Sequence, residues 1–115
     1  MQYLMLIYEK ESEWNAIPEA EKQGIYKRYM DLRGDLQKNG NYIGGNQLQP
    51  VGTATTVRVR NGKKAVTDGP FAETKEQLGG YFLVEAKDLD EAMAIAERIP
   101  AAEIGSVEVR PVVMR

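Results

Sequence analysis

Two segments of this chain are apolar on both faces of an extended strand, and this feature restricts the fold more than any other. In residues 1–8 the alternating sets are Tyr3, Met5 and Ile7 on one face and Leu4, Leu6 and Tyr8 on the other. In residues 78–86 they are Tyr81 and Leu83 opposite Phe82 and Val84. A strand with one face in water alternates apolar with polar residues, so both faces of these strands need cover.

Two amphipathic helices are predicted. The first begins at Pro18, which suits the first helical position, and ends at Asn39-Gly40, a pair that favours a left-handed stop. Its apolar stripe consists of Ile25, Tyr29, Leu32 and Leu36. The second helix is capped by Asp88, with Glu91 in the capping-box position, and Pro100 ends it. Its predicted buried stripe consists of Ala92, Ile95, Ala96 and Ile99.

Four further strands complete the prediction, over residues 42–48, 53–60, 63–67 and 107–113. Asn61-Gly62 joins the second and third of these as a hairpin, because this dipeptide suits a type I′ turn. Residues 67–76 follow neither a helical nor a strand period, which indicates a turn and loop.

The element order is strand, helix, strand with an inserted hairpin, strand, helix, strand, in a single domain over residues 1–115. This order predicts an α+β fold of ferredoxin-like βαββαβ type, with an antiparallel sheet, an extra β-hairpin and two helices on one face. The other apolar face of the sheet is then uncovered, and a patch of that size usually marks an interface. We expect a homodimer packed sheet against sheet about a two-fold axis, which forms a dimeric α/β barrel.

Composition argues against several classes of protein. The net charge is −2 and the pI about 5.2, which disfavours a nucleic-acid partner. The basic group Arg58, Arg60, Lys63 and Lys64 is interpreted as solubilising charge on an exposed hairpin. The chain has no cysteine and no histidine, so neither a metal nor a cofactor is expected. No apolar run is long enough to span a membrane, and residues 1–8 suit a strand better than a signal peptide. We therefore expect a cytoplasmic protein.

A specific motif occupies the predicted loop, running Asp68-Gly69-Pro70-Phe71-Ala72-Glu73-Thr74-Lys75-Glu76 and followed by Gly79-Gly80-Tyr81. It resembles the signature of the DGPF proteins within the YCII-related family, and the similarity continues through residues 56–60, 88–92 and 107–112. The resemblance implies a ferredoxin-like fold and dimeric α/β-barrel assembly. The genes of some relatives lie next to genes for extracytoplasmic-function sigma factors, which implies a regulatory connection. Other members of the wider family carry a histidine–aspartate pair proposed as an active site, and this chain has no histidine to supply it.

The motif loop supplies three candidate ligand-binding residues. Asp68 either lies at the mouth of a cleft as a base or ligand acceptor, or accepts backbone N–H bonds that fix the turn. Glu73 and Lys75 offer an acid and a cation for a substrate, or belong to a solvated or salt-bridged loop. Phe71 is expected to seat the loop on the core rather than to stack against a ligand.

The predicted strands supply three more candidates. Arg58 and Arg110 either project into the barrel interior, paired with a carboxylate such as Glu108, or serve solubility at an edge. Tyr81 is expected in the core with its hydroxyl near the rim. The candidate ligand-binding set is therefore Asp68, Arg58, Tyr81, Arg110, Glu73 and Lys75, and no catalytic residue is identified.

Two functions are compatible with these residues. The first is a dimer that binds a small polar or anionic ligand in the barrel cleft, with enzymatic activity left open; it predicts a concave pocket that holds Asp68, Arg58, Tyr81 and Arg110. The second is a non-catalytic regulatory or interaction protein of an extracytoplasmic-function sigma-factor pathway, which needs no sizeable pocket. We favour the first, because so polar a loop is more than dimerisation requires.

Overall fold

A computed structural model describes all 115 residues of the chain. Its helices and strands are β1 (Gln2–Glu9), α1 (Glu11–Ala16), α2 (Glu19–Lys38), β2 (Tyr42–Gln47), β3 (Thr55–Arg60), β4 (Lys63–Asp68), β5 (Gln77–Glu85), α3 (Leu89–Ala96) and β6 (Ser106–Pro111). Two short 3-10 turns, Val51–Thr53 and Pro100–Glu103, complete the regular structure. None of the helices has the length and hydropathy needed to cross a membrane.

Four strands form the main sheet in the order β2-β5-β1-β6, and all neighbouring strands are antiparallel. Strands β3 and β4 pair only with each other, as a separate two-stranded sheet. The predicted order of elements and the ferredoxin-like α+β fold are therefore confirmed. The inserted hairpin stands outside the main sheet.

The core lies between the helices and one face of the main sheet. It contains 13 buried apolar residues and no buried polar or charged one. At its centre, Met5 of β1 and Val84 of β5 are fully buried, and Leu36 of α2 and Ile99 pack with them. The apolar stripes predicted for the two long helices face this layer, although Ile25 and Tyr29 are only half-buried.

The helices differ from the prediction in number and length. Helix α1 was not predicted, because its six residues are too few to show a helical period. Helix α3 ends at Ala96, four residues before Pro100, and Ile99 is buried beyond the helix. The predicted cap is confirmed: the backbone N–H of Glu91 donates to Asp88 Oδ1 at 2.9 Å.

A β-bulge interrupts the pairing of β1 with β5. Ile7 pairs with Gly80 and Tyr8 with Leu78, so Gly79 is the extra residue. A Cβ on Gly80 would lie 2.9 Å from the backbone oxygen of Asn46, closer than ordinary packing allows. The two adjacent glycines therefore permit the bulge and the close approach of β2.

The face of the main sheet that points away from the helices is half-exposed, and we call it the open face. Register places Leu4 beside Leu83 and Arg110, and Leu6 beside Tyr81 and Glu108. All four apolar side chains are partly accessible to solvent. Arg110 pairs with Glu108 on this face, as one of the sequence alternatives proposed. A single protomer thus leaves an apolar strip with one ion pair beside it.

Candidate functional site

A cleft of about 380 Å³ lies on the helix side of the sheet, where β2 and β5 meet α1 and α2. This volume lies in the range of small-molecule sites. The side chains that dominate it are Glu9, Trp14, Tyr26, Tyr29, Met30, Arg33, Tyr42 and Phe82. The last residue of β2, Gln47, and the segment after it, from Leu48 to Pro50, form part of its rim.

Aromatic rings make up much of the cleft wall. Trp14 of α1 meets Tyr26 of α2 edge to face, with ring centroids 5.7 Å apart. Phe82 lies 6.1 Å from Tyr42 and 6.3 Å from Tyr29 between centroids. Such pairs hold aromatic side chains in fixed orientations, so the wall offers flat apolar surfaces to a ligand.

Glycines keep the floor of the cleft open. Gly45, Gly79 and Gly80 all line it, and a Cβ on Gly45 would lie 2.6 Å from Phe82 Cδ1. Side chains at these positions would collide with the neighbouring strand or fill the space. The floor is therefore bare backbone of β2 and β5.

Two hydrogen bonds of α1 set the rim. The backbone N–H of Glu11 donates to Gln77 Oε1 at 2.9 Å, and Glu11 Oε1 accepts from the backbone N–H of Val51 at 2.9 Å. Gln77 in turn donates from Nε2 to the backbone oxygen of Thr74 at 2.7 Å. The motif loop is thus tied to the rim through Gln77, although its own side chains do not line the cleft.

Glu9 is a half-buried carboxylate that makes neither a hydrogen bond nor an ion pair. Burial alone raises the pKa of Glu9 above its usual value. Glu9 also borders a second cavity of about 150 Å³, which Arg28 lines as well. Arg28 is committed to Glu103 by two hydrogen bonds, one of them at 3.2 Å, so it does not neutralise Glu9.

The pKa values of Arg28 and Glu103 are both shifted by their mutual hydrogen bonding. Hydrogen bonding to Glu103 raises the pKa of the Arg28 guanidinium, and the same bond lowers the pKa of Glu103. Both side chains are exposed, so the pair contributes little to stability. For the site, the consequence is that Arg28, which lines the same cavity as Glu9, pairs with Glu103 and leaves Glu9 without a cationic partner.

Tyr29 stands close enough to Glu9 to sense its charge. Desolvation raises the pKa of the Tyr29 phenol strongly, and the negative charge of Glu9 raises it further. The phenol is therefore protonated at any physiological pH and can donate a hydrogen bond. Glu9 and Tyr29 thus bring a carboxylate and a phenol to the lining of the cleft, with the phenol also close to the backbone of Ala101.

Arg33 supplies the single positive charge that lines the cleft. It is exposed on α2 and forms no ion pair. A free guanidinium binds carboxylate or phosphate groups through two parallel hydrogen bonds. The cleft therefore combines an apolar wall, a carboxylate inside and an unpaired cation on its lining.

Replacing Glu9 by glutamine is expected to raise the melting temperature at about pH 7 by a few degrees and to change it little at about pH 4. The raised pKa means that the folded chain holds this proton more tightly than the unfolded chain. The stabilisation that the bound proton gives the folded chain is complete when the pH is below the pKa of Glu9 in the unfolded chain. It is lost as the pH rises through the higher pKa of Glu9 in the folded chain. Glutamine has nearly the same shape as glutamate but no negative charge, so it removes the cost of burying an ionised Glu9 at neutral pH.

Thermal melts of both proteins across this pH range test the prediction. Glu97→Gln, at an exposed position after α3, is the matched control and is expected to show no such pH-dependent difference. A Glu9→Gln protein less stable than wild type at neutral pH would contradict it, because it would show that ionised Glu9 is stabilised by a partner.

The structure disperses the six residues proposed from sequence. Tyr81 contributes to the lining of the cleft, but its side chain shares the open face with Leu6, and its hydroxyl accepts a hydrogen bond from Asn46 Nδ2 at 3.0 Å. Arg110 lies on the open face, two strands from Tyr81. Arg58 is exposed in the middle of β3, and Asp68 is exposed at the end of β4. A site that used them together needs a second copy of the chain and stays a prediction about the dimer.

The motif loop holds its turn without the Asp68 side chain. The backbone N–H of Gly69 donates to the oxygen of Ala54 at 2.7 Å, and Thr56 Oγ1 donates to the oxygen of Gly69 at 2.8 Å. Gly69 has a φ of 92°, which explains why glycine follows the aspartate. Glu73 and Lys75 are exposed on the same loop and form no ion pair.

The expectation for Phe71 was wrong. Its side chain is 77% exposed and therefore does not seat the loop on the core of its own protomer. The sequence argument assumed that a phenylalanine beside a proline turn packs inward. Here the loop runs along the outside of the domain, so the ring faces solvent.

Sequence reasoning missed Glu9, although one signal pointed to it. Tyr3, Met5 and Ile7 occupy the buried face of β1, and Glu9 is the next residue with the same alternation. A carboxylate that continues a buried apolar series is unusual and indicates a polar site at the end of the strand. Trp14 and Arg33 gave no comparable signal, because only the packing of α1 against α2 brings them to the cleft.

The structure contains no group of three or more acidic side chains placed to hold a metal ion. Comparison with known proteins gives one family, since the model of the YCII-related domain matches residues 1–114. A similar protein is the uncharacterized protein R00369 of Rhizobium meliloti (strain 1021). It is 35% identical over 116 residues, an alignment that covers 99% of this chain and 94% of the relative.

Proposed function

This chain belongs to the YCII-related family, and we propose that it is a homodimeric protein that binds a small anionic molecule with an apolar or aromatic body. The ligand occupies the cleft between α1, α2 and the β2–β5 edge. The observation that carries this proposal is Glu9, a carboxylate half-buried beside an aromatic wall without a protein partner. A desolvated and unpaired acid is costly to keep, which is typical of functional sites.

The chemistry of the lining defines the ligand class. The rings of Trp14, Tyr26 and Phe82 favour a flat apolar body. Arg33 favours a carboxylate or phosphate group, and Glu9 favours a hydrogen-bond donor on the ligand. Small phenolic and aromatic acids combine these three features.

Glu9 also offers a chemical role. Its raised pKa brings proton exchange nearer to neutral pH, which general acid–base catalysis requires. Tyr29 beside it can donate a hydrogen bond to the oxygen of a bound molecule. These two residues are the candidates for any reaction in the cleft. The presence of a cleft of this size favours a ligand-binding role over a purely regulatory one, for which no pocket is needed.

The solvent-exposed surface area of the single chain supports the proposed homodimer. The chain exposes 8,055 Å², whereas a compact monomer of 12.9 kDa exposes about 6,300 Å². The excess is roughly twice the 800 Å² or so that each partner buries in a standard interface. The open face supplies apolar side chains for such a contact, including Leu4, Leu6 and Leu83.

A thermal-shift screen of small phenolic and aromatic acids tests the proposed ligand. A compound at a hundredfold excess over its Kd stabilises the protein by about 2.7 kcal/mol, which corresponds to roughly 10 °C for a domain of this size. Arg33→Gln is expected to lose most of that shift. Lys38→Gln, also on α2 but outside the cleft, is expected to keep it.

Asp68→Ala separates this site from the motif loop. The proposal predicts that the shift survives in Asp68→Ala, because Asp68 does not line the cleft. A shift that Arg33→Gln retains and Asp68→Ala abolishes would place the ligand at the motif loop instead. A broad screen without any stabilising compound would favour the regulatory alternative.

A further inference from the structure

The hairpin of β3 and β4, which we call the arm, is amphipathic. Register places Val57 opposite Val66 on one face, with Val59 beside them and Lys64 opposite Val59 near the turn. The other face carries Arg58, together with Arg60 and Lys63. The turn between the strands is tight, with positive φ at Asn61 (54°) and Gly62 (75°).

The valine face of the arm, formed by Val57, Val59 and Val66, is uncovered. These side chains are 58%, 61% and 56% exposed, respectively. Phe71, three residues beyond the arm, is even more exposed at 77%. A two-stranded ribbon is marginally stable at best in water and needs packing against another element. One apolar face and one cationic face are the pattern of a ribbon with one side buried.

The arm extends away from the body of its own protomer. The radius of gyration is 16.1 Å, against about 13 Å for a compact chain of this length. The molecule measures 47 × 44 × 19 Å, so it is only as thick as one helix layer on one sheet. The arm therefore lies beside this slab, where its valine face meets no other strand of the chain.

We propose that the arm of each protomer reaches a second copy of the chain and buries its valine face there. This inference rests on the homodimer of the proposed function and identifies which part of the chain completes the interface. In a two-fold dimer the two arms are equivalent, so both valine faces are covered at once.

Charge favours the same partner. The arm has four basic residues (Arg58, Arg60, Lys63 and Lys64) and one acidic residue, Asp68, so its net charge is +3, whereas the whole chain carries −2. The rest of the chain therefore carries −5, so the body of a second copy attracts the arm. The two faces that carry Arg58, Arg60 and Lys63 stay in water, apart from each other, and the long side chain of Lys64 extends from the edge of the valine face to solvent.

Thiol reactivity tests this contact, because the chain has no cysteine of its own. Val66→Cys places a thiol on the valine face, and Ala65→Cys places one on the opposite face of the same strand. In the dimer the Val66→Cys thiol is expected to react with a disulfide reagent about tenfold more slowly than the Ala65→Cys thiol, because the reagent needs an accessible thiolate. In a Leu6→Glu background, which separates the protomers, the two rates are expected to converge.

The outcomes separate the arm from the dimer. If the protein is dimeric by mass and both thiols react equally fast, the arm proposal is overturned while the dimer stands. If wild type is a monomer, both proposals fall together. If protection of Val66→Cys persists in a monomeric Leu6→Glu background, the arm packs on its own protomer and the proposal is also overturned.

Discussion

Leu6→Glu is expected to convert the proposed homodimer into a monomer. Leu6 lies on the open face beside Tyr81 and Glu108. In a sheet-to-sheet dimer a glutamate there buries a second negative charge next to Glu108 on each protomer. An uncompensated buried charge costs about 3–5 kcal/mol, which weakens association by at least about a hundredfold. The monomer itself tolerates the change, since Leu6 is only half-buried within it.

Light scattering coupled to size exclusion measures the result. Wild type is expected at twice 12.9 kDa and Leu6→Glu at 12.9 kDa. Leu89→Glu, on the helix layer at a position 48% exposed, is the matched control and is expected to stay dimeric. A Leu6→Glu protein that keeps the wild-type mass would show that the open face is not the interface.

Gly105→Ala is expected to destabilise the fold by about 3 kcal/mol, or roughly 12 °C in melting temperature. Gly105 directly precedes β6, and a Cβ there would lie 2.1 Å from the backbone oxygen of Tyr8. That atom belongs to β1 and cannot rotate away as a side chain would. The strands must separate where Tyr8 pairs with Ser106, so the β1–β6 ladder loses its first pair.

Gly24→Ala is the same substitution at another position, and it is expected to raise the melting temperature rather than lower it. Gly24 lies in α2, where an added Cβ meets nothing within 4 Å. Alanine there is expected to stabilise the helix by about 0.5–1 kcal/mol, because glycine loses more backbone entropy on folding. Thermal melts of both variants decide the matter. A Gly105→Ala protein as stable as wild type would contradict the close packing of Gly105 against β1, and a destabilised Gly24→Ala protein would contradict the open surroundings of Gly24.

The fold was predictable because its signals are local. Residues 1–8 and 78–86 are too apolar for any but central strands, and Asn61-Gly62 determines the hairpin. The capping box at Asp88 marks the start of α3. Helix α1 was not predictable, since packing and a hydrogen bond to Gln77 stabilise it rather than its own periodicity.

The cleft depends on contacts between distant residues. Glu11 binds Val51 and Gln77, which are 40 and 66 residues away along the chain. The motif loop drew attention because of its unusual composition. Its observed part in the site is indirect, through the bond from Gln77 to Thr74. Conversely, Tyr29 matched an ordinary apolar helix stripe, and its place beside Glu9 is visible only in three dimensions.

The central claim is that the ligand binds in the cleft, and Trp14 tests it most directly. Trp14 is the single tryptophan of the chain and lines the cleft. A stabilising compound is therefore expected to change the tryptophan emission, with the same Kd as the thermal shift and with no such change in Arg33→Gln. If a compound stabilises the protein with full occupancy while Trp14 emission stays constant, the ligand binds elsewhere and the assignment of this cleft is wrong.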